Sequence, residues 1–124
     1  MVGHATFCWN ELMTRDVEKA RAFYGKCLGW TFSDMPMGDD GVYTIADMGD
    51  SQVAGIFPMS GPDFEGVPEH WMSYIAVDDI DERLELAAAL GAQILRPPFD
   101  VPGVGRIALL KDVGGAAQGW MTPE

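Results

Sequence analysis

Residues 7–32 read FCWNELMTRDVEKARAFYGKCLGWTF, and residues 72–94 read MSYIAVDDIDERLELAAALGAQI. Each stretch runs from an alternating apolar segment through Asp into an amphipathic segment. Each then passes Leu-Gly and enters a second apolar segment. Asp16 and Asp79 lie 63 positions apart, and Gly29 and Gly91 lie 62 apart. A near-constant register between only two copies indicates a module used twice rather than a solenoid.

The first copy sets the pattern. Phe7, Trp9, Glu11 and Met13 alternate with Cys8, Asn10, Leu12 and Thr14, the period of a strand. Asp16 can cap a helix by accepting orphan backbone N–H groups. The helix carries Val17, Ala20, Phe23, Tyr24, Cys27 and Leu28 on one broad stripe, and Gly29 suits its left-handed end. Trp30–Phe32 begins a strand, residues 33–41 (SDMPMGDDG) read as a loop, and Val42–Met48 and Gln52–Met59 read as a hairpin about Gly49-Asp50. Residues 60–69 (SGPDFEGVPE) read as an irregular linker.

In the second copy Trp71–Val77 is the strand, and Asp79 caps a helix with Glu82 following as in a capping box. Its stripe is Ile80, Leu84, Ala87 and Leu90. Gln93–Arg96 reads as a strand stopped by Pro97-Pro98, and residues 99–105 as a loop. The segments 106–111 and 118–122 form a final hairpin, which matches the first at an offset of 65. The expected architecture is α+β. It comprises one domain over residues 1–124, made of βαβββ modules at 5–59 and 70–123 joined by the linker 60–69.

A chain of 124 residues can bury a core without disulfides or a structural metal. The formal net charge of −11 argues against nucleic-acid binding, since no basic stripe is present to displace phosphate counterions. No stretch approaches the roughly 18 apolar residues of a membrane span, and no basic segment precedes an apolar run at the N-terminus. Cys8 and Cys27 lack CxxC spacing and read as reduced, buried thiols. A cytoplasmic setting is expected.

The segments ELMTRDVEKARAFYGKCLGW (11–30) and HWMSYIAVDDIDERLELAAALGAQILRPPFDVPGVGRIALLKDVGGAAQGWMTP (70–123) resemble the vicinal oxygen chelate superfamily. That group holds glyoxalase I, bleomycin-resistance proteins, extradiol dioxygenases and fosfomycin-resistance proteins. The resemblance covers essentially the whole chain, and its motifs specify fold rather than reaction. It implies a curled mixed-sheet cup with a concave pocket, and a homodimer.

In the metal-dependent members the resemblance implies His, Gln or Glu on the first and last strands of each module, about seven residues before the helix-starting Asp for the first. Here those positions fall on Trp9 and Met72, and near Ala54 and Gly119. None offers a hard donor, so no metal and no cofactor are expected. A slip of two positions would bring in His70 without partners. His4 reads as part of the N-terminal tail.

The concave face implied by this register carries Trp9, Glu11 and Met13, with Met72 and Tyr74. Gln52, Ala54, Gly119 and either Gln118 or Met121 complete it. Apolar and aromatic lining with a few polar groups is the make-up of a small-molecule pocket, although the same side chains could simply fill a core. Three functions remain open. One is metal-independent binding of an aromatic or cationic small molecule. Another is a lyase- or isomerase-type enzyme with Glu11 as general base and Tyr74 as hydrogen-bond donor. The last is an interaction module whose dimer is itself the product. A metal-dependent lyase or dioxygenase returns only if the register is wrong.

Overall fold

A computed structural model of the chain describes residues 3–36 and 41–124. Eight strands and two helices follow one another as two βαβββ runs, an α+β architecture. The first run is β1 (Thr6–Thr14), α1 (Val17–Leu28), β2 (Thr31–Pro36), β3 (Val42–Met48) and β4 (Ser51–Pro58). The second is β5 (His70–Ala76), α2 (Ile80–Ala89), β6 (Gln93–Val101), β7 (Gly105–Lys111) and β8 (Ala117–Pro123). The chain divides into two compact units. One is Trp9–Trp71, and the other joins the residues up to Cys8 to Met72–Glu124.

In the first unit the strand order is β2-β3-β4-β1. β1 runs parallel to β4 with Glu11 beside Gly55 and Met13 beside Phe57. Strand β3 is antiparallel to both its neighbours. Asp16 caps α1 by accepting from the Lys19 N–H at 3.0 Å, and Gly29 closes it at φ 79°. Leu12, Ala46, Ala54 and Ile56 are buried on one face of these strands. Phe32, paired with Ala46, lies 3.5 Å from where a Cβ on Gly25 of α1 would stand, so this face is the one covered by the helix.

The second unit repeats the plan with order β5-β8-β7-β6. Asp79 caps α2 through the Glu82 N–H. Val77, Ile80, Leu84, Ala108 and Leu110 form a buried cluster, with Ile75, Ala87, Ala92, Ile94 and Trp120 packed against it. The N-terminal segment is tied here, the Ala5 N–H donating to the Ala76 carbonyl at 2.7 Å.

Several sequence expectations are corrected. Residues 33–36 are strand, because β2 is an end strand and tolerates Asp34 and Pro36 there; residues 37–40 of the expected loop lie outside the described residues, and Gly41 precedes β3 at φ 95°. Strand β6 runs through Pro97-Pro98, its register shifting between Ile94 and Phe99 so that the prolines need not donate to β7. The stretch 60–69 contains a 3-10 turn at Pro62–Phe64. It is pinned by Arg15, which donates to the Phe64 and Val67 carbonyls at 2.6 and 2.7 Å. The helix stripes are only partly covered: Phe23, Cys27 and Leu28 on α1 and Leu90 on α2 are exposed. Cys8 is half-buried and both thiols are free. Among the described residues no helix is long and apolar enough to cross a membrane.

Two outcomes follow from this packing. Leu110→Ala removes a fully buried side chain from the second-unit cluster and is expected to cost about 2–5 kcal/mol in urea unfolding. Glu69 accepts a hydrogen bond from the Thr14 hydroxyl, and Arg15 lies nearby, so its carboxyl is held below the ordinary value of 4.5. A depressed carboxyl favours the folded state above that value and loses its contribution as pH falls through the folded one. Glu69→Gln should therefore flatten the acid limb of a melting-temperature profile, modestly and less so in high salt.

Candidate functional site

Alternation along β1 places Trp9, Glu11 and Met13 on the face opposite α1. Glu11 is 8% exposed, and an ionised carboxylate so placed is costly unless it is hydrogen-bonded. The Tyr43 hydroxyl supplies that bond, donating to Glu11 Oε2 at 2.8 Å. The Tyr43 hydroxyl oxygen in turn accepts from Trp9 Nε1 at 2.9 Å. Tyr43 thus uses both its acceptor and its single proton, and the polarity of the chain is fixed as indole to phenol to carboxylate.

Tyr43 stands on β3, two strands from Glu11, and its ring must cross β4 to reach the carboxylate. It crosses at Gly55. A Cβ there would lie 1.6 Å from the Tyr43 hydroxyl oxygen and 2.2 Å from its ring carbon Cζ. Only a residue without a side chain leaves this path open. The phenol is pushed well above its ordinary value of 10.0, first by burial and then by the Glu11 charge, with the Trp9 hydrogen bond opposing.

Gly55 and Tyr43 were missed in the sequence, and Ala54 was misplaced by the same error. The first hairpin carries a bulge between Ala46 and Asp47 that the second lacks. The offset of 65 is therefore one too many on β4, and a one-residue slip exchanges the two faces of a strand. Ala54 packs on the α1 side, and Gly55 stands beside Glu11. Gln52 is exposed near the turn, paired with Asp47. The Tyr in VYTI, in phase with Ile45, was the available signal.

The second-unit residues also share a face. Tyr74 pairs with Gly119 and Ala76 with Met121 across the parallel β5–β8 ladder, which sets Met72, Tyr74, Gly119 and Met121 to one side. A Cβ on Gly119 would meet Tyr74 Cε2 at 2.3 Å, so this tyrosine too lies flat over a glycine. Gln118 alternates with these residues and points elsewhere, accepting from Trp120 Nε1 at 2.9 Å.

The positions matched to metal ligands carry an indole, a thioether and two glycines, Gly55 taking the place expected for Ala54. Such a donor set does not fit a divalent ion. Among the described residues no three His, Cys, Asp or Glu side chains come together. His4 Nδ1 accepts from the Asp78 N–H at 3.0 Å, and His70 Nδ1 lies 2.7 Å from the Pro68 carbonyl oxygen.

Comparison with known proteins adds the wider context. Residues 2–117 match the family described as Glyoxalase/Bleomycin resistance protein/Dioxygenase superfamily. CFP32 of Mycobacterium bovis, whose name assigns it provisionally to the glyoxylases, is 42% identical over 111 residues, covering 90% of this chain and 41% of that protein. The anthracycline biosynthesis protein DnrV of Streptomyces peucetius is 30% identical over 120 residues, covering 88% of this chain and 44% of its own. The chain thus spans less than half the length of these relatives. A hypothetical protein from Bacillus halodurans superposes with TM-score 0.72 at 16% identity, over 98% of this chain and 96% of that one. Methylmalonyl-CoA epimerase from Mycobacterium tuberculosis does so with TM-score 0.67 at 16% identity, over 100% and 93%. At such identities the likeness concerns the fold alone.

The relay makes its own predictions. Tyr43→Phe leaves Glu11 without that donor and is expected to cost about 1–3 kcal/mol. A phenol raised on folding stabilises the protein below its unfolded value and loses that contribution as pH climbs through the folded one. Stability of the wild type should therefore decline above pH 10 more steeply than that of Tyr43→Phe, as followed by urea unfolding. Gly55→Ala should be destabilising by about 1–3 kcal/mol, and the loss should shrink when Tyr43 is cut to Ala in the same chain.

Proposed function

The chain belongs to the glyoxalase/bleomycin resistance protein/dioxygenase superfamily, and within it we propose a metal-independent binder of a small aromatic or cationic molecule, acting through the Trp9–Tyr43–Glu11 face. One observation carries this reading. A carboxylate is kept in a largely apolar setting by a phenol whose orientation is itself fixed by an indole. A fixed negative charge flanked by two aromatic rings suits a flat or cationic ligand through stacking and cation–π attraction. The donor set at the metal-ligand positions supports a mode without a metal. The name of DnrV, a relative tied to anthracyclines, which are polycyclic aromatic compounds, agrees with an aromatic ligand.

Tyr43 spends its one proton on Glu11, so the carboxylate oxygen it reaches is already engaged. That weighs for electrostatic recognition over proton abstraction. A buried carboxylate on this face keeps the lyase- or isomerase-type reading, with Glu11 as general base, as the alternative. The reading also includes a homodimer, supported by the exposed apolar side chains Phe7, Phe23 and Leu28. A reducing, cytoplasmic setting is supported by two free thiols.

The test is a thermal-shift and calorimetric screen of flat aromatic amines against wild type, Glu11→Gln and Trp9→Leu, with and without EDTA. A ligand whose affinity is unchanged by EDTA, and falls about ten-fold or more in either variant, corresponds to a loss of at least ~1.4 kcal/mol and supports the binder. A stoichiometric divalent ion whose removal abolishes binding overturns it. Turnover of a hit by wild type that Glu11→Gln eliminates transfers the assignment to the enzyme.

A further inference from the structure

The two units carry very different side chains at matching positions beside their helices. In the first unit Tyr24 of α1 stacks on Trp30 with ring centroids 5.2 Å apart. Trp71 meets both rings edge-on at 5.7 and 6.1 Å, its Nε1 reaching the Tyr24 hydroxyl at 3.2 Å. Three aromatic rings thus pack together from α1, the residue before β2 and the start of β5. The offsets that align Asp16 with Asp79 and Gly29 with Gly91 place Ala87, Ala92 and Cys8 at the corresponding positions of the second unit. Where the first half has two indoles and a phenol, the second has two methyl groups and a thiol.

Of these three positions, Ala87 borders an open cavity. Between α2, the N-terminal segment and the strands lies an open space of about 330 Å³ lined by His4, Ala5, Ile75, Ala87, Leu90 and Trp120, among others. Its mouth is flanked by Leu86 and Leu90, which are 53% and 69% exposed. Its polar rim is self-satisfied. Arg83 Nε and NH2 each reach Asp78 at 2.8 Å, and the Asp78 N–H is taken by His4. A space near the lower end of the usual range for small-molecule pockets, with an apolar lining and a rim that needs no counter-ion, selects for a compact uncharged ring system.

We propose that this cavity of the second unit binds a flat, neutral aromatic molecule of one or two rings, seated beside Ala87, the position that carries the Tyr24 ring in the first unit. The site shares no residue with the Glu11 face and stands or falls independently of it. Indole is the probe, because the Tyr24 ring at the matching position of the first unit packs against two indoles.

The site is read by the side-chain N–H resonance of Trp120 in a titration with indole, alongside calorimetry. Saturable binding that shifts Trp120 is expected in the wild type and in Glu11→Gln alike. Ala87→Tyr restores the phenol that the first half carries and should weaken this binding ten-fold or more without lowering the melting temperature. Leu90→Trp, at the exposed rim, is the second filling variant should Ala87→Tyr fail to fold. Conversely, Trp71→Ala should uncover the Tyr24 and Trp30 rings of the first unit and add a second indole site there, read at the Trp30 N–H. The proposal is overturned if indole does not saturate, or if saturation moves other resonances and leaves Trp120 unshifted. Equal affinity in the filling variants also overturns it. So does a filling variant that changes the oligomeric state in sedimentation while leaving indole binding intact, since the cavity then serves contact between copies of the chain.

Discussion

The hydrogen bond from the Tyr43 phenol to the buried Glu11 carboxylate is the constraint around which the first unit is arranged. A charge on an inward strand face must be matched by donors, and only a long side chain can supply one from two strands away. That requirement fixes two further residues. The ring needs a path over the intervening strand, which Gly55 provides, and its acceptor lone pair needs a donor, which Trp9 provides. Each residue is explicable only through the others, so the group behaves as a unit rather than as a sum of contacts.

Duplication makes the second unit an internal control. Glu11 and Tyr74 occupy the same register position, each beside a glycine on the parallel partner strand. In one unit the glycine admits a tyrosine from β3 that answers a carboxylate; in the other it admits the tyrosine of the first strand itself. The helix side diverges in the opposite sense, with aromatic rings in the first half and small side chains in the second. Backbone hydrogen bonding and helix caps therefore hold the two halves to one plan, while the side chains that could meet a ligand have separated. This is the behaviour expected when fold is maintained by local backbone signals and function by sites placed upon it.

Those same local signals explain what could be read in the sequence. Asp16, Asp79, Gly29 and Gly91 mark helix ends because each answers a requirement of its own few neighbours, and all four do so in the structure. The extents of β2 and β6 were not legible, since a proline stops a central strand but not one at the end of a sheet, and position in the sheet is a long-range property. The sidedness of Ala54 and Gly55 hung on a single bulge, which shifts a whole strand face without leaving a strong local trace. Glu11 was identified because its polarity violates the strand pattern. Tyr43 was not, because a tyrosine on a strand violates nothing.

The exposed apolar flank of α1 brings these points together. A stripe of six apolar residues would ordinarily be read as fully core-facing, yet no residue of α1 is buried. The helix is held instead at its ends and along one edge, by the Asp16 cap, by Gly29, and by the Tyr24 ring between Trp30 and Trp71. Phe23 and Leu28 are left over by this arrangement, because the stack already supplies the contact that a wider apolar face would otherwise make. On α2 the position is reversed: Ile80 and Leu84 are buried in the strand cluster, and the small side chain of Ala87 borders an open space rather than a covered edge. One helix is anchored by aromatic stacking and the other by aliphatic burial. Only the second kind of anchoring leaves room beside the helix, and this difference in packing, not a difference in fold, separates the two halves chemically.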